Sequence, residues 1–214
     1  MKRFVFIFCF VGLFYTSAFG QIELGAYAGL DNSKLYGDKI PRTKYKSKIG
    51  FQLGASVDIP ISDLISLSIQ PGYIKNGSKI QVPDTVENEY KDSISFDINY
   101  LQLPIYIKIQ SKSKRLYFSS GLEILYGLSL KAENELQEID ITQEMNRLNL
   151  SLAFGLGYKI PIRKSILYFE VRYAQGLINV AKPAPEDEYY LPRVKLGGLK
   201  LVTGFQIPIS KKNK

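Results

Sequence analysis

The chain has 214 residues, enough for one domain with a sizeable core, and its formal net charge is +8. It contains no histidine, and its one cysteine is Cys9. These absences exclude serine–histidine–aspartate hydrolysis, cysteine–histidine catalysis and histidine-based metal sites. Beyond Cys9 they also exclude disulfides and thiolate metal sites. We therefore expect no enzymatic activity, no cofactor, and no catalytic or metal-binding residues.

The first twenty residues have the three-part pattern of a secretory signal peptide. A short basic start precedes an apolar run from Phe4 to Tyr15, and small residues at 18 and 20 stand before a cleavage point at Gln21. The apolar run is shorter than the roughly 20 residues that a membrane-spanning helix requires. We predict a cleaved signal peptide at 1–20, one exported domain at 21–210 and a basic tail at 211–214.

After Gln21 the sequence alternates with a period of two, which indicates strands rather than helices. From Lys48 the odd positions through Ile59 are apolar, and the positions between them are small or polar. The stretches that begin at Leu116 and Leu148 repeat this pattern. Eight strands are predicted in this way, at about 22–30, 48–59, 64–76, 94–110, 115–130, 146–160, 165–176 and 194–209.

The connections between these strands alternate in length. Three are tight turns, and four are long and polar. Short turns on one side and long loops on the other are the layout of an outer-membrane barrel, and an even strand number places both termini in the periplasm. The turns are 60–63, 111–114 and 161–164, and the loops are 31–47, 77–93, 131–145 and 177–193.

Each strand has one bulky face of Leu, Ile, Phe and Val and one face of Gly, Ser, Gln, Asn and some charges. In a membrane barrel the bulky face contacts lipid, and inward glycines leave room for large polar neighbours. We therefore predict an all-β fold: an eight-stranded antiparallel up-and-down transmembrane β-barrel with short periplasmic turns and long extracellular loops. A soluble lipocalin-like barrel, with its apolar face turned inward around an apolar ligand, is the alternative.

The predicted inward face carries four acidic and four basic side chains. Charges enclosed by a lipid-facing wall are tolerable only when they are paired and hydrogen-bonded. An eight-stranded barrel has interior space for little beyond its own side chains, so a salt-bridged plug is favoured over an ion path or a ligand site. The residues of this predicted lumen charge network are Glu23, Asp58, Glu123, Glu170, Lys108, Lys159, Arg172 and Lys200.

One strand changes its pattern midway. The apolar positions are even from Ile94 to Tyr100 and odd from Leu101 to Ile109. A shift of one residue exchanges the two faces of a strand. We expect either a β-bulge near Tyr100–Leu101 or the exit of the strand from the membrane there, and a similar change near 197–198. In both places the barrel wall should extend above the lipid on the loop side.

The segment Asn99–Lys108, which reads NYLQLPIYIK, resembles part of the PorT-like outer-membrane β-barrel family. That family often carries Tyr-Leu-(Glu/Gln)-(Ile/Leu)-Pro, three apolar residues and Lys in its fourth strand. The segments 25–29 and 121–122 look similar too. The resemblance implies an eight-stranded barrel in the outer membrane of a Gram-negative bacterium of Bacteroidetes type. No residue here carries over the protein-secretion role of the member that names the family.

We expect a structural or interaction protein of the envelope or of secretion, which contacts outer-membrane lipid and a protein at its loops or at its basic periplasmic rim. Nucleic acid is not an expected partner. The fourth long loop is stiffened by proline and carries an aromatic pair, so it is the predicted partner loop. Its residues are Pro183, Pro185, Tyr189 and Tyr190. A small solute pore or transporter and the lipocalin-like binder remain open alternatives.

Overall fold

A computed structural model describes residues 21–38, 43–83, 90–134, 137–182 and 193–209. The predicted signal peptide at 1–20, the tail at 211–214 and the partner-loop residues Pro183, Pro185, Tyr189 and Tyr190 lie outside the described residues. In the described ranges, no helix is long and apolar enough to cross a membrane. The strands are β1 Ile22–Gly37, β2 Lys44–Pro60, β3 Ile65–Ile69, β4 Gly72–Pro83, β5 Tyr90–Gln110, β6 Leu116–Glu133, β7 Glu138–Asp140, β8 Leu148–Ile162, β9 Ser165–Gly176 and β10 Val194–Ile209.

The strands form one closed antiparallel sheet. Successive wall strands pair with one another, and β10 pairs with β1 along its whole length, from Ile22 opposite Ile209 to Gly37 opposite Val194. The short strands β3 and β4 occupy one wall position, because both pair with β2 and with β5. Strand β7 pairs with the extracellular end of β6. The described strands therefore fill eight wall positions, as the periodicity predicted.

The gap between β3 and β4 has a local cause. The ladder to β5 pairs Ile69 with Ile105, and it resumes only where Gly72 faces Gln102. Pro71 lies in the gap and Pro104 opposite it, and neither can donate a backbone hydrogen bond. The N–H of Gln70 donates to the carbonyl oxygen of Pro104 across the gap, at 2.9 Å. The side chain of Gln70 is fully buried inside the barrel.

The outer face of the wall is apolar and its inner face is polar. Large apolar side chains point outward on every wall strand, with exposed fractions such as 59% for Leu156, 53% for Leu201 and 50% for Leu53. Inward positions carry buried Ser, Gln, Asn and charged residues instead. This arrangement matches a lipid-facing barrel, and the lipocalin-like alternative, with its apolar face inward, is wrong.

The change of pattern in β5 is an exit from the membrane and not a reversal of its faces. Ile98 and Tyr100 are buried inward at 1% and 0% exposure, on the same face as Lys108. The bulge lies in the neighbouring strand β6, where the register to β5 passes over Leu128. In β10, likewise, Leu196 and Lys200 are both buried on one face. On the loop side of the barrel, from the level of Tyr100 and Leu196 outward, the interior is therefore apolar, as it is in a soluble barrel.

The strands extend well beyond the bilayer on the loop side. Strand β5 has 21 residues and β6 has 18, whereas a membrane crossing takes about 9–11 residues. The predicted first and second long loops are therefore partly strand, in β1, β2, β4 and β5. These strand lengths agree with the expectation of a wall that rises above the lipid.

Two inward glycines make room for tyrosine rings. A Cβ atom at Gly157 would lie 2.2 Å from the Cζ atom of Tyr117, and one at Gly204 would lie 2.4 Å from the ring of Tyr168. Real Cβ atoms do not approach other atoms so closely. These contacts give the physical reason for the small residues on the polar face.

Candidate functional site

All eight residues of the lumen charge network lie on the inward face of the wall. Seven of them are at most 3% exposed, and the side chain of Glu23 is 19% exposed at the periplasmic end. The structure brings them together in two groups, one near the periplasm and one at the centre of the lumen. Each acidic member contacts at least one basic member within 4 Å.

The periplasmic group is built around two lysines. Lys108 Nζ lies 2.8 Å from Oδ2 of Asp58, and Lys159 Nζ lies 2.7 Å from Oε2 of Glu23 and 3.8 Å from Asp58. The hydroxyl of Ser68 donates to Oδ1 of Asp58 at 2.5 Å. Lys108 also lies 5.2 Å from the ring centroid of Tyr117, within the range of a cation–π contact.

The central group is built around Arg172. Its Nε donates to Oε1 of Glu170 at 3.1 Å, its Nη1 to the hydroxyl of Tyr106 at 2.8 Å and its Nη2 to Oε1 of Gln70 at 3.1 Å. The guanidinium carbon lies 4.2 Å from the ring centroid of Tyr106. All three nitrogens of the planar Arg172 guanidinium therefore donate hydrogen bonds, which fixes the position of this side chain in the lumen.

The two central carboxylates are each held by further donors. Glu123 accepts from Lys200 Nζ at 2.6 Å and from the hydroxyl of Tyr106 at 2.6 Å. Glu170 accepts from the hydroxyls of Ser119 at 2.6 Å and Tyr117 at 2.9 Å, in addition to Arg172. Charge-assisted hydrogen bonds of this kind offset the cost of burying the charges.

A short chain of neutral side chains joins the two groups. Gln70, which accepts from Arg172, donates from Nε2 to the hydroxyl of Ser68 at 3.1 Å, and Ser68 donates to Asp58. Gln70 and Ser68 are buried, as are the charged residues Arg172 and Asp58 that they join. The polar lumen is therefore one continuous network from Lys159 to Lys200.

Above this network, the extracellular end of the lumen is filled by apolar side chains. The apolar cluster consists of Leu35, Ile74, Ile98, Tyr100, Leu125, Leu130, Met145, Val180 and Leu196. Met145 does not come from a wall strand; it follows a short 3-10 helix at Thr142–Glu144 in the third long loop. An isolated bridge to Ala181 holds Met145 in place, and its side chain is fully buried.

Sequence reasoning missed the neutral members of the network and one acid. Tyr106 and Tyr117 were not singled out, although parity places them on the faces of Lys108 and Glu123. Ser68 and Gln70 were not singled out either, and they lie on the small polar face of the strand predicted at 64–76. Asp31 was assigned to the first long loop, but it lies in β1, faces inward and is 1% exposed. The inward positions of β1 are the odd-numbered residues from Glu23 onward. Continuing this alternation past Leu30 would have identified Asp31 as inward-facing.

Outside the lumen, an ion-pair cluster lies on the outer surface of the wall above the lipid. Asp97 lies 2.7 Å from Lys48 Nζ and 3.3 Å from Lys75 Nζ. Partial burial alone would raise the pKa of the Asp97 carboxyl, but the contacts with these two lysines outweigh burial and hold that pKa below its ordinary value. This cluster joins β2, β4 and β5 where they leave the membrane.

The four acids of the lumen charge network are arranged for charge pairing. No group of three or more His, Cys, Asp or Glu in the described part of the chain could hold a metal ion. These carboxylates are instead paired with lysine and arginine, which fixes their positions. The acidic and basic side chains of the network fill the lumen, and their charges compensate one another.

Comparison with solved structures finds outer-membrane barrels of low sequence identity. The chain is similar to the outer membrane protein OprG from Pseudomonas aeruginosa, at 13% identity over 90% of this chain and 97% of that chain, with a TM-score of 0.52. It is similar to Ail, the attachment invasion locus protein of Yersinia pestis, at 16% identity over 87% and 99% of the two chains, with a TM-score of 0.47. Neisserial surface protein A matches at 14% identity over 88% and 97%, with a TM-score of 0.48.

No curated protein matches the chain significantly. The family described as the outer membrane protein beta-barrel domain matches residues 16–182, which is most of the chain. The match agrees with the closed ring, the apolar outer face and the long strands on the loop side. The chain therefore belongs to the outer membrane protein beta-barrel domain family and lies in the outer membrane of a Gram-negative bacterium.

Proposed function

We propose that this protein is a non-enzymatic barrel with a closed lumen, which acts as a structural or interaction protein through its extracellular loops or its periplasmic rim. The observation that carries the proposal is the filled interior. Side chains buried at 3% exposure or less occupy it from Lys159 at the periplasmic end to Met145 at the extracellular end. A lumen filled in this way has no room for a substrate, so the role of the protein belongs to its outer surfaces.

The extracellular surface is the first candidate for a partner. The long strands β5 and β6 raise the loops clear of the lipid, and residues on the outside of the wall there are charged, as at Lys34 and Lys46. Pro183, Pro185, Tyr189 and Tyr190 of the fourth long loop remain the proposed partner contact, because their sequence places an aromatic pair close to two prolines, which restrict the backbone and reduce the freedom lost on binding.

The periplasmic rim is the second candidate. Its turns are exposed and basic. In the proposed orientation, with both termini in the periplasm, they lie at the level of the inner leaflet. Basic residues at that level attract anionic lipid headgroups, which we propose as the lipid partner of the rim. The residues are Lys112, Lys114, Arg115, Arg163 and Lys164.

Membership of the PorT-like group within the barrel family is part of the proposal, as is cleavage of a signal peptide at 1–20. Three residues of the NYLQLPIYIK segment have structural roles that support a shared barrel architecture. Pro104 faces the gap between β3 and β4, Tyr106 bonds Arg172 and Glu123, and Lys108 pairs with Asp58. None of these roles points to protein secretion.

Conductance measurements test the closed lumen against the alternative of a small solute pore or transporter. We expect the purified barrel, reconstituted in planar bilayers, to give no stepwise current, while a general porin reconstituted in parallel gives steady openings. A reproducible wild-type conductance that changes when Arg172 is replaced by Met would overturn the proposal, since the current would then pass through the network.

Cross-linking in intact cells tests the loop contact. We expect an adduct with a protein partner that is lost when Tyr189 and Tyr190 are both changed to Ser. A matched control changes the exposed Lys112 and Lys114 of the periplasmic turn to Ser. If both variants keep the adduct, neither surface carries the interaction.

A further inference from the structure

One inward acid is not part of the lumen charge network. Asp31 lies on β1 opposite Gly50 of β2 and Lys200 of β10, and it is 1% exposed. The hydroxyl of Ser33 lies near this carboxylate, but it donates its proton to the carbonyl oxygen of Gly77 at 3.0 Å, so neither carboxylate oxygen accepts a hydrogen bond within the described ranges. A buried carboxylate without a partner is costly, so the site needs a group that satisfies it.

A second orphaned oxygen faces the same small space. Oδ1 of Asn76 also lacks a hydrogen-bond partner within the described ranges, and Asn76 and Asp31 line one cavity of about 10 Å³. Its lining also includes the polar residues Ser33, Tyr100, Asn149 and Ser151 and the ion pair of Glu123 with Lys200. That volume suits a single particle of the size of a water molecule.

Counting the inward charges shows that one positive charge is missing. Five acids, Glu23, Asp31, Asp58, Glu123 and Glu170, face four bases, Lys108, Lys159, Arg172 and Lys200, so the sum is 4 − 5 = −1. Lys200 is the base next to Asp31 in register, but its Nζ is held by Glu123 at 2.6 Å. The uncompensated charge is therefore located at the Asp31 cavity.

We propose that this cavity binds one small monovalent cation of the Na⁺ class, ligated by the carboxylate of Asp31 and the amide oxygen of Asn76. Hard cations prefer oxygen ligands, and the lining supplies further neutral oxygens. A divalent ion would leave the lumen with a net charge of +1, whereas a monovalent ion brings it to zero. The site lies between the charge network and the apolar cluster, and it assigns the barrel a ligand beyond its surface contacts.

Unfolding of the full mature barrel in detergent micelles tests the site. Urea midpoints are measured by far-ultraviolet circular dichroism while NaCl is replaced by N-methyl-D-glucamine chloride at constant ionic strength, because that organic cation is too large for the cavity. We expect the wild-type midpoint to rise with Na⁺ and then to saturate, since a ligand that binds only the folded state stabilises it in this way. Asp31→Asn should show the same midpoint in both salts.

The matched control is Asp97→Asn, which removes a carboxylate of the same charge from the outside of the wall and should keep the wild-type response to Na⁺. A wild-type midpoint that is equal in the two salts would overturn the proposal, because a proton or a water molecule in the cavity predicts no difference. An Asp31→Asn barrel that keeps the saturable response would overturn it too. If Asp31→Asn fails to fold, the wild-type comparison and Asn76→Ala decide the matter, and Asn76→Ala should shift saturation to higher Na⁺.

Discussion

Replacing Arg172 by Met tests the central part of the lumen charge network. The substitution keeps much of the buried side-chain volume but removes the guanidinium that donates to Glu170, Tyr106 and Gln70. Glu170 then keeps only the hydroxyl donors Ser119 and Tyr117. Removing one partner of a buried ion pair costs about 3–5 kcal/mol, because the other charge is left uncompensated. We expect the free energy of unfolding to fall by that amount.

The measurement is urea unfolding in detergent micelles, followed by circular dichroism and by gel migration without boiling. Tryptophan fluorescence cannot be used because the chain has no tryptophan. Glu170→Gln and the double variant complete a double-mutant cycle, and we expect a coupling energy of about 1–3 kcal/mol between the two sites. Lys34→Met, on the exposed outer surface of β1, is the control and should change stability little.

Two results would refute this reasoning. A loss of less than about 1 kcal/mol for Arg172→Met would mean that the network contributes no more than surface ion pairs do. Strictly additive effects of the two substitutions would mean that Arg172 and Glu170 do not act on each other, despite the 3.1 Å between Nε and Oε1.

Three further substitutions probe other parts of the barrel. Gly157→Ala places a methyl group 2.2 Å from the ring of Tyr117 and should lower the free energy of unfolding by about 1–3 kcal/mol. Ala28→Val, on the lipid side of β1, is the control and should not lower it. Equal effects of the two substitutions in urea unfolding would contradict the packing argument. Met145→Asp puts a charge in the apolar cluster, so faster protease cleavage of the third long loop is expected, and an unchanged cleavage rate would count against it. Asp97→Asn should lower the free energy of unfolding by less than about 1 kcal/mol at pH 7. This difference from the wild type should disappear as the pH falls through the lowered pKa of Asp97 in the folded state. A difference that persists at pH 2 is inconsistent with an ion-pair effect.

The periodicity of the sequence predicted the ring of strands because every side chain that faces lipid must be apolar. The same rule identified the inward charges, such as Lys108 and Glu123, from parity alone. It could not predict which charges meet, since parity says that a side chain faces the lumen but not its height or its direction across it. The contact between Lys159 and Glu23, for example, joins residues 136 positions apart.

Sequence reasoning was less successful where the lipid ends. Above the membrane the interior turns apolar and the exterior polar, so the pattern of β1 beyond Leu30 resembles a loop when it is read by the membrane rule. This is why Asp31 was placed in a loop. The insertion of Met145 into the extracellular end had no local signal at all, because a single methionine in an irregular segment has no period to detect.

The long separations in the lumen have a consequence for the order of assembly. Lys159 contacts Glu23, and Arg172 contacts Gln70, so the second half of the chain supplies the partners of the first half. None of these pairs can form within a single hairpin. Before β1 and β10 join, these charges must stay hydrated, and the contacts of Lys159 with Glu23 and of Arg172 with Gln70 form only when the barrel closes. Closure of the barrel should therefore be the slow and cooperative step of its folding, with hairpin formation preceding it.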